Sequence, residues 1–357
     1  MHPSLRRAET FAAAYGIRLP VLLAPMAGIS PVGLATAVSV AGGMGALGAV
    51  LLEPAAIADW VTRYRSAGGG PLQINLWVPD PPPRRDAVHE AALRDFLGRH
   101  GPPVPVDAAD VPLQDFDAQC AALLAARPTA VSSIMGLYPP AFAQQLKTAG
   151  IAWFATVTTV AEARAAEAAG ADVIVAQGAE AGGHRGAFKA ARARDEAVGL
   201  FALLPQVVDA VRLPVVAAGG VADARGVAAA LLLGASAVQP GTALLRTPEA
   251  GIAPVWAEAL SLAAPEGTRM TRAFSGRWGR SLATTYVGDA AAPGAPAPAP
   301  YPIQRGLTAV MRKTAETAGD LQHLQAWAGQ AAGLAMARPA GDVVQDLWRG
   351  ACRLLDG

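Results

Sequence analysis

In the segment EAGGHRG, residues 180–186, His184 stands among glycines that let the backbone come close to a flat ligand. An imidazole with an ordinary pKa near 6.5 can exchange a proton at neutral pH, worth roughly 10²- to 10⁴-fold in rate. The other four histidines, His2, His89, His100 and His323, lie in helical or terminal polar stretches and read as solvated side chains. A second group of residues suits an anion. Gly219 and Gly220 precede a helix that Asp223 can cap, and Gln239, Pro240, Gly241 and Thr242 form a similar turn further on. Either turn alone could be an ordinary loop, but two glycine-bearing loops side by side offer backbone N–H groups and a helix N-terminus to a phosphate. A third group suits the edge and face of a heterocycle: Pro25, Met26 and Ala27 for packing, Asn75 and Gln177 for amide hydrogen bonds.

These residues need a frame that gathers them. Short apolar runs begin near Val21, Gly45, Leu72, Ala130, Ala152, Asp172, Pro214 and Ala237, with alanine-rich helical stretches between them. Their starts are 24, 27, 58, 22, 20, 42 and 23 residues apart, which predicts an α/β fold of the (β/α)₈ TIM-barrel type. Thr159 with Glu162 reads as a capping box, and Asp223 as an N-cap. Every candidate named above then falls just after a strand, on the face where barrel active sites form. The two long intervals hold WVPDPPP, residues 77–83, and the glycine-rich loop 178–186. The repeat stops after the eighth strand. We expect a barrel over 1–247 and a helical cap or substrate region over 248–357, broken by the proline-rich connector 292–302.

The whole chain has 357 residues, 29 Lys and Arg against 28 Asp and Glu, and 52% hydrophobic residues. Balanced charge without long like-charged blocks argues against nucleic acid or a polybasic membrane patch as partner. No apolar run approaches the ~18 residues of a membrane span. Two lone cysteines, Cys120 and Cys352, exclude a disulfide scaffold and, with no apolar leader in the first residues, lead us to expect the cytoplasm. Gly43, Gly45 and Gly48 spell a dinucleotide fingerprint, but before and within a strand and with no acid following at the right distance. Nucleotide-binding loops of the GxxxxGK[ST] type, HExxH, CxxC and GxSxG are all missing, and His89-Glu90 has no second ligand, so no metal site is expected.

The segments APMAGIS, INLWVPDPP, VSSIMGLYP, AQGAEAGGHRG, PVVAAGGVADARGVAAALLLGASAVQPGTALL, TRAFSGRWGRSL, YPIQRGLT and WAGQAAG, in this order, span nearly the whole chain. In them the sequence resembles the class I nitronate monooxygenases, FMN-dependent barrels. The resemblance implies oxidation of an alkyl nitronate or nitroalkane by O₂ to a carbonyl compound and nitrite, with FMN as the electron carrier. It implies that Pro25, Met26 and Ala27 line the flavin, that Asn75, Gln177 and Gly182 contact it, and that Gly219, Gly220, Gln239, Gly241 and Thr242 hold its ring edge or phosphate. His184 matches the family's active-site histidine, which would take the proton α to a nitro group or, in its charged form, steady the nitronate. Ser133, Ile134, Met135 and Trp278 depart from the family's pattern and point to altered pocket walls. Lys189, Arg192 and Arg194 make residues 187–198 either a lid that attracts anions or a solvated loop, and we favour the loop. Flavin-dependent enoyl reductases and quinone reductases on the same barrel are the rival enzymes, and a non-catalytic flavin- or phosphate-binding protein the rival of another class. A homodimer is compatible with the sequence.

Overall fold

The computed structural model describes residues 1–356. Seven parallel strands lie in the order β1 (Gly45–Gly48), β2 (Leu72–Trp77), β3 (Ala130–Ile134), β4 (Ala152–Val157), β5 (Val173–Gln177), β7 (Val215–Ala218) and β8 (Ala237–Val238), with β6 (Gly183–His184) outside this sheet. The sheet curls until its two edges meet residues 21–24. There Val21 bridges Val238 and Leu22 bridges Met44, both parallel. The N–H groups of Leu22 and Leu23 donate to the carbonyls of Val238, at 2.8 Å, and Met44, at 2.9 Å. The barrel is thereby closed by eight strand segments, as the spacing predicts, and closure leaves neither edge open.

Strand residues inside the barrel are packed, not hollow. Leu22, Met44, Ala130, Phe154, Val173, Val175, Val216 and Ala237 fill its lower half. Phe11 and Ala12, from an N-terminal helix Pro3–Ala14, plug the end where the strands begin. Ligands are thus excluded from that end and left to the opposite one. The expected caps form: Thr159 accepts the Glu162 N–H at 3.2 Å, and Asp223 that of Gly226 at 3.0 Å. Glu162 does more than cap. Its carboxylate accepts the N–H of Thr158 at 2.6 Å and that of Phe188 at 2.7 Å, which ties the charged loop to the barrel.

The tail differs from the helical cap expected over 248–357 in two respects. First, it contains an antiparallel hairpin, β9 (Thr268–Thr271) and β10 (Gly279–Leu282), and β10 pairs in turn with β6. Four-residue strands as polar as TRMT and GRSL carry no readable alternation, so their partners, more than their own sequence, make them strands. Second, the helix Ala340–Asp356 does not sit on the cap. Its stripe of Val343, Val344, Leu347, Trp348 and Ala351 is buried in the main core, between helices Val32–Val40 and Ala224–Leu232. Gly350 allows this close approach, since a Cβ there would stand 2.5 Å from that of Ala224. The chain's last helix is therefore the eighth of the barrel's ring. Phe274 from the hairpin's connection, with Tyr286, Ile303, Leu307 and Met311 from the stretch before the ring helix, packs on Leu93, Phe96 and Leu97, so part of the long 58-residue interval joins the cap.

Phe11→Ala should empty the plug and lower stability by roughly 3–5 kcal/mol. Chemical denaturation of the two proteins checks this, and an unchanged midpoint would show that the helix does not close the barrel.

Candidate active site

A cavity of about 460 Å³ opens at the strands' C-terminal ends, within the usual range for cofactor pockets. All twelve residues singled out in the sequence line it: Pro25, Met26, Ala27, Asn75, Gln177, Gly182, His184, Gly219, Gly220, Gln239, Gly241 and Thr242. They come from segments more than 200 residues apart and meet because ten of them lie at or just after strand ends of one barrel, while Gly182 and His184 lie in the glycine-rich loop after β5.

His184 is held from several sides. As part of β6 it pairs with Gly279 of β10, and the next N–H, of Arg185, donates to the Trp278 carbonyl at 2.9 Å. From the barrel, Gln177 binds the same strand: its Nε2 donates to the His184 carbonyl at 3.1 Å and its Oε1 accepts the Gly186 N–H at 2.8 Å. The imidazole Nε2 lies 2.8 Å from the Ser275 hydroxyl, while Nδ1 has no partner among the described residues. Trp77 meets the ring edge-on at 4.7 Å between centroids, and Trp327 lies at 4.9 Å on another side. This apolar enclosure, reinforced by the positive charges of Arg277 and Arg305, pushes the imidazole pKa down to about 3. At neutral pH the ring is uncharged. The sequence suggests a charged imidazole for an anionic substrate; burial and the neighbouring arginines shift the balance toward the neutral ring.

Arg277 is nearly inaccessible and forms a two-pronged ion pair with Asp80, one contact being 2.7 Å from Nε. Asp80 belongs to the WVPDPPP insertion, so the proline-rich loop after β2 ties the barrel to the cap behind the histidine. Arg305 lines the cavity and has no carboxylate within ion-pair distance among the described residues. Beside it Arg312 is fixed by Gln325 at 2.9 Å and by the Arg305 carbonyl at 2.9 Å, and burial pushes its pKa down to about 10.

Across the cavity, the backbone N–H groups of Gly219, Gly220, Gly241 and Thr242 donate to no acceptor among the described residues. Unpaired N–H groups gathered in one recess make an anion site. Gly219 and Gly220 have φ of +98° and +73°, a backbone region that favours glycine. Next to them three segments cross with no room for side chains: a Cβ on Gly182 would stand 2.4 Å from the Gly329 nitrogen, whose N–H donates to the Thr242 hydroxyl at 3.0 Å. Asn75 donates to Ser132 at the carbonyl, 3.0 Å, and at the hydroxyl, 3.1 Å. A flat ring joined to a phosphate fits this donor set.

Ser275, Trp77, Trp327, Tyr301, Arg305 and Arg312 also line or flank the site, yet residue types and spacing gave them no role. The signal available was that most lie in TRAFSGR, YPIQRGLT and WAGQAAG. Of the residues that depart from the family's pattern, Ile134 alone reaches the cavity. Ser133 is buried against Trp153, at 2.9 Å, and Met135 adopts a φ of +68° behind the wall. Trp278 lies outside the lining and is covered by Arg194 at 5.3 Å. Lys189, Arg192 and Arg194 are exposed, and nothing in 187–198 lines the cavity.

A closed barrel whose mouth sets unpartnered backbone N–H groups and an imidazole around one cavity has the architecture of a TIM-barrel enzyme. The sequence profile of the nitronate monooxygenase family matches residues 9–350. A nitronate monooxygenase of Paraburkholderia phytofirmans is 39% identical over 340 residues, 94% of this chain and 92% of that protein. Another, from Pseudomonas aeruginosa, is 38% identical and covers 95% and 98% of the two chains. The crystal structure of a nitroalkane oxidase from Streptomyces ansochromogenes superposes with a TM-score of 0.86 at 38% identity, over 96% of this chain and 98% of that one. The chain belongs to the nitronate monooxygenase family, a family of flavoenzymes.

Because the unfolded chain binds a proton on this imidazole below about 6.5 and the folded one does not until about 3, His184 should lower stability as pH falls through that window and leave it unchanged above. Denaturation of the parent and His184→Asn from pH 4 to 8 checks this, together with the imidazole C–H resonances. A His184 midpoint near the ordinary 6.5 in the folded protein would overturn the neutral assignment.

Proposed function

We propose that the cavity binds FMN and that the chain oxidises alkyl nitronates with O₂ to a carbonyl compound and nitrite, acting as a nitronate monooxygenase. The observation that carries this reading is the pairing, across one cavity, of four unpartnered backbone N–H groups with a neutral, enclosed imidazole. Gly219, Gly220, Gly241 and Thr242 would hold the phosphate; Pro25, Met26 and Ala27 would pack the ring, and Asn75, Gly182 and Gln239 would meet its edge. Gln177 would act mainly on the protein, since both ends of its amide already hold the strand that carries His184. Bound flavin supplies the electron transfer that no side chain here can.

The remaining chemistry falls to the chain. A base with a pKa near 3 is poorly matched to pulling a proton from carbon, because proton transfer is favoured when donor and acceptor pKa values are close. A substrate that arrives already deprotonated avoids that step. Arg305, uncommitted to any carboxylate, then supplies the charge that receives the anionic nitro group, while His184, steadied by Ser275, offers a neutral hydrogen-bonding ring. Trp77 and Trp327 wall off water, which strengthens both interactions. Unpaired Cys120 and Cys352 and the lack of any helix long and apolar enough to cross a membrane, among the described residues, support the cytoplasm as its place.

Purified protein should be yellow with an FMN spectrum, and near neutral pH kcat/KM for a preformed nitronate should exceed that for the parent nitroalkane. Colourless protein that FMN cannot reconstitute would remove the cofactor reading. Rapid anaerobic bleaching by reduced nicotinamide with none by a nitronate would replace the reaction by a reductase. Arg305→Gln should raise KM for the nitronate about tenfold, the loss of one charge-assisted contact, with bound FMN retained. An unchanged KM would place the anion elsewhere.

A further inference from the structure

Gln73 lies on β2 with its side chain inside the barrel and no accessible surface. Its Nε2 is 2.9 Å from the Leu23 carbonyl oxygen and 3.0 Å from Oε1 of Gln239. The two ends of an amide are alike in shape, so neighbouring groups must decide which is nitrogen. Here they do. A backbone carbonyl can only accept, so the end beside Leu23 must be the NH₂ group. One of its hydrogens serves Leu23 and the other reaches Gln239, which has to answer with its oxygen. Turned over, Gln73 would set oxygen against the oxygen of Leu23. The arrangement is kept although Gln73 Oε1 is left buried without a partner. Its result is that the Gln239 NH₂ is turned away from the core, toward the cavity that Gln239 lines, and makes no hydrogen bond with the described residues.

We propose that Gln73, which touches no ligand, is a positioning residue that fixes Gln239 as a hydrogen-bond donor to the acceptor edge of the flavin ring. This rests on the FMN reading above. Reduction adds electron density to that edge, so a donor held there in advance favours the reduced over the oxidised cofactor. In Gln73→Leu nothing directs the Gln239 amide. In Gln73→Glu burial keeps the carboxyl neutral: a hydroxyl in the place of Nε2 gives its one hydrogen to Leu23 and has only lone pairs left for Gln239, which draws the Gln239 NH₂ to it and turns the Gln239 oxygen into the cavity.

The test is the reduction potential of bound FMN, read by spectroscopic titration against a reference dye, in the parent, Gln73→Leu, Gln73→Glu, Gln239→Leu and the double leucine variant. Gln73→Leu should lose about tenfold in preference for reduced flavin, close to 30 mV for a two-electron couple. Gln73→Glu should lose more. In the Gln239→Leu background, Gln73→Leu should shift the potential no further, because the effect passes through Gln239. Unchanged potentials in both single Gln73 variants with FMN bound would overturn the proposal, as would full additivity in the double variant. Failure of both Gln73 variants to fold would make the residue structural and also overturn it. A parent protein unable to bind FMN is a separate outcome: it removes the cofactor reading, and this inference with it.

Discussion

The pairing of β6 with β10 is the contact on which the site depends. Without it, residues 183–184 would be an open glycine-rich loop on a barrel rim, and His184 would titrate in water. With it, the histidine becomes the edge residue of a small sheet, its ring set on Ser275 and walled by Trp77 and Trp327. Two supports keep the pairing in register. Gln177 binds it from the barrel, and the Arg277–Asp80 ion pair fastens the hairpin to the loop after β2. Gly279 is needed at the crossing, where a Cβ would stand 3.0 Å from the Trp327 ring.

The electrostatics follow from this geometry. Desolvating an imidazole next to arginines makes its charged form costly, so the positive charge needed for an anion resides on guanidinium groups, which stay protonated when buried. The cavity therefore carries two kinds of group suited to negative charge: unpartnered main-chain amides at the exits of β7 and β8, and Arg305, which has no carboxylate partner among the described residues.

Much of this was legible in the sequence. The eight strand starts could be read because a parallel strand buried on both faces is a nearly continuous apolar run, as in VIVAQ and VVAAGG. The exit residues could be read for the same reason, since the barrel's geometry converts "just after a strand" into "at the mouth". What escaped was whatever depends on partners far along the chain. The hairpin is too short and polar to announce itself, and the ring helix Ala340–Asp356 is separated from its neighbour Ala224–Leu232 by the whole cap. The protonation state of His184 could not be read locally either, because Arg277, Arg305 and the enclosing Trp327 act on it from 93 to 143 residues away. Local pattern sufficed for the scaffold, and the chemistry needed the tertiary contacts.

The position of the helix Ala340–Asp356 in the ring bears on how the molecule is made. During synthesis every strand of the barrel emerges from the ribosome before the helix that seals the wall between Val32–Val40 and Ala224–Leu232. At translation rates of ~5–20 residues per second, the nascent barrel waits several seconds with an apolar seam open. Until that helix docks, the apolar residues it covers on Val32–Val40 and Ala224–Leu232 stay open to water, so the barrel wall is completed only after the cap has been made.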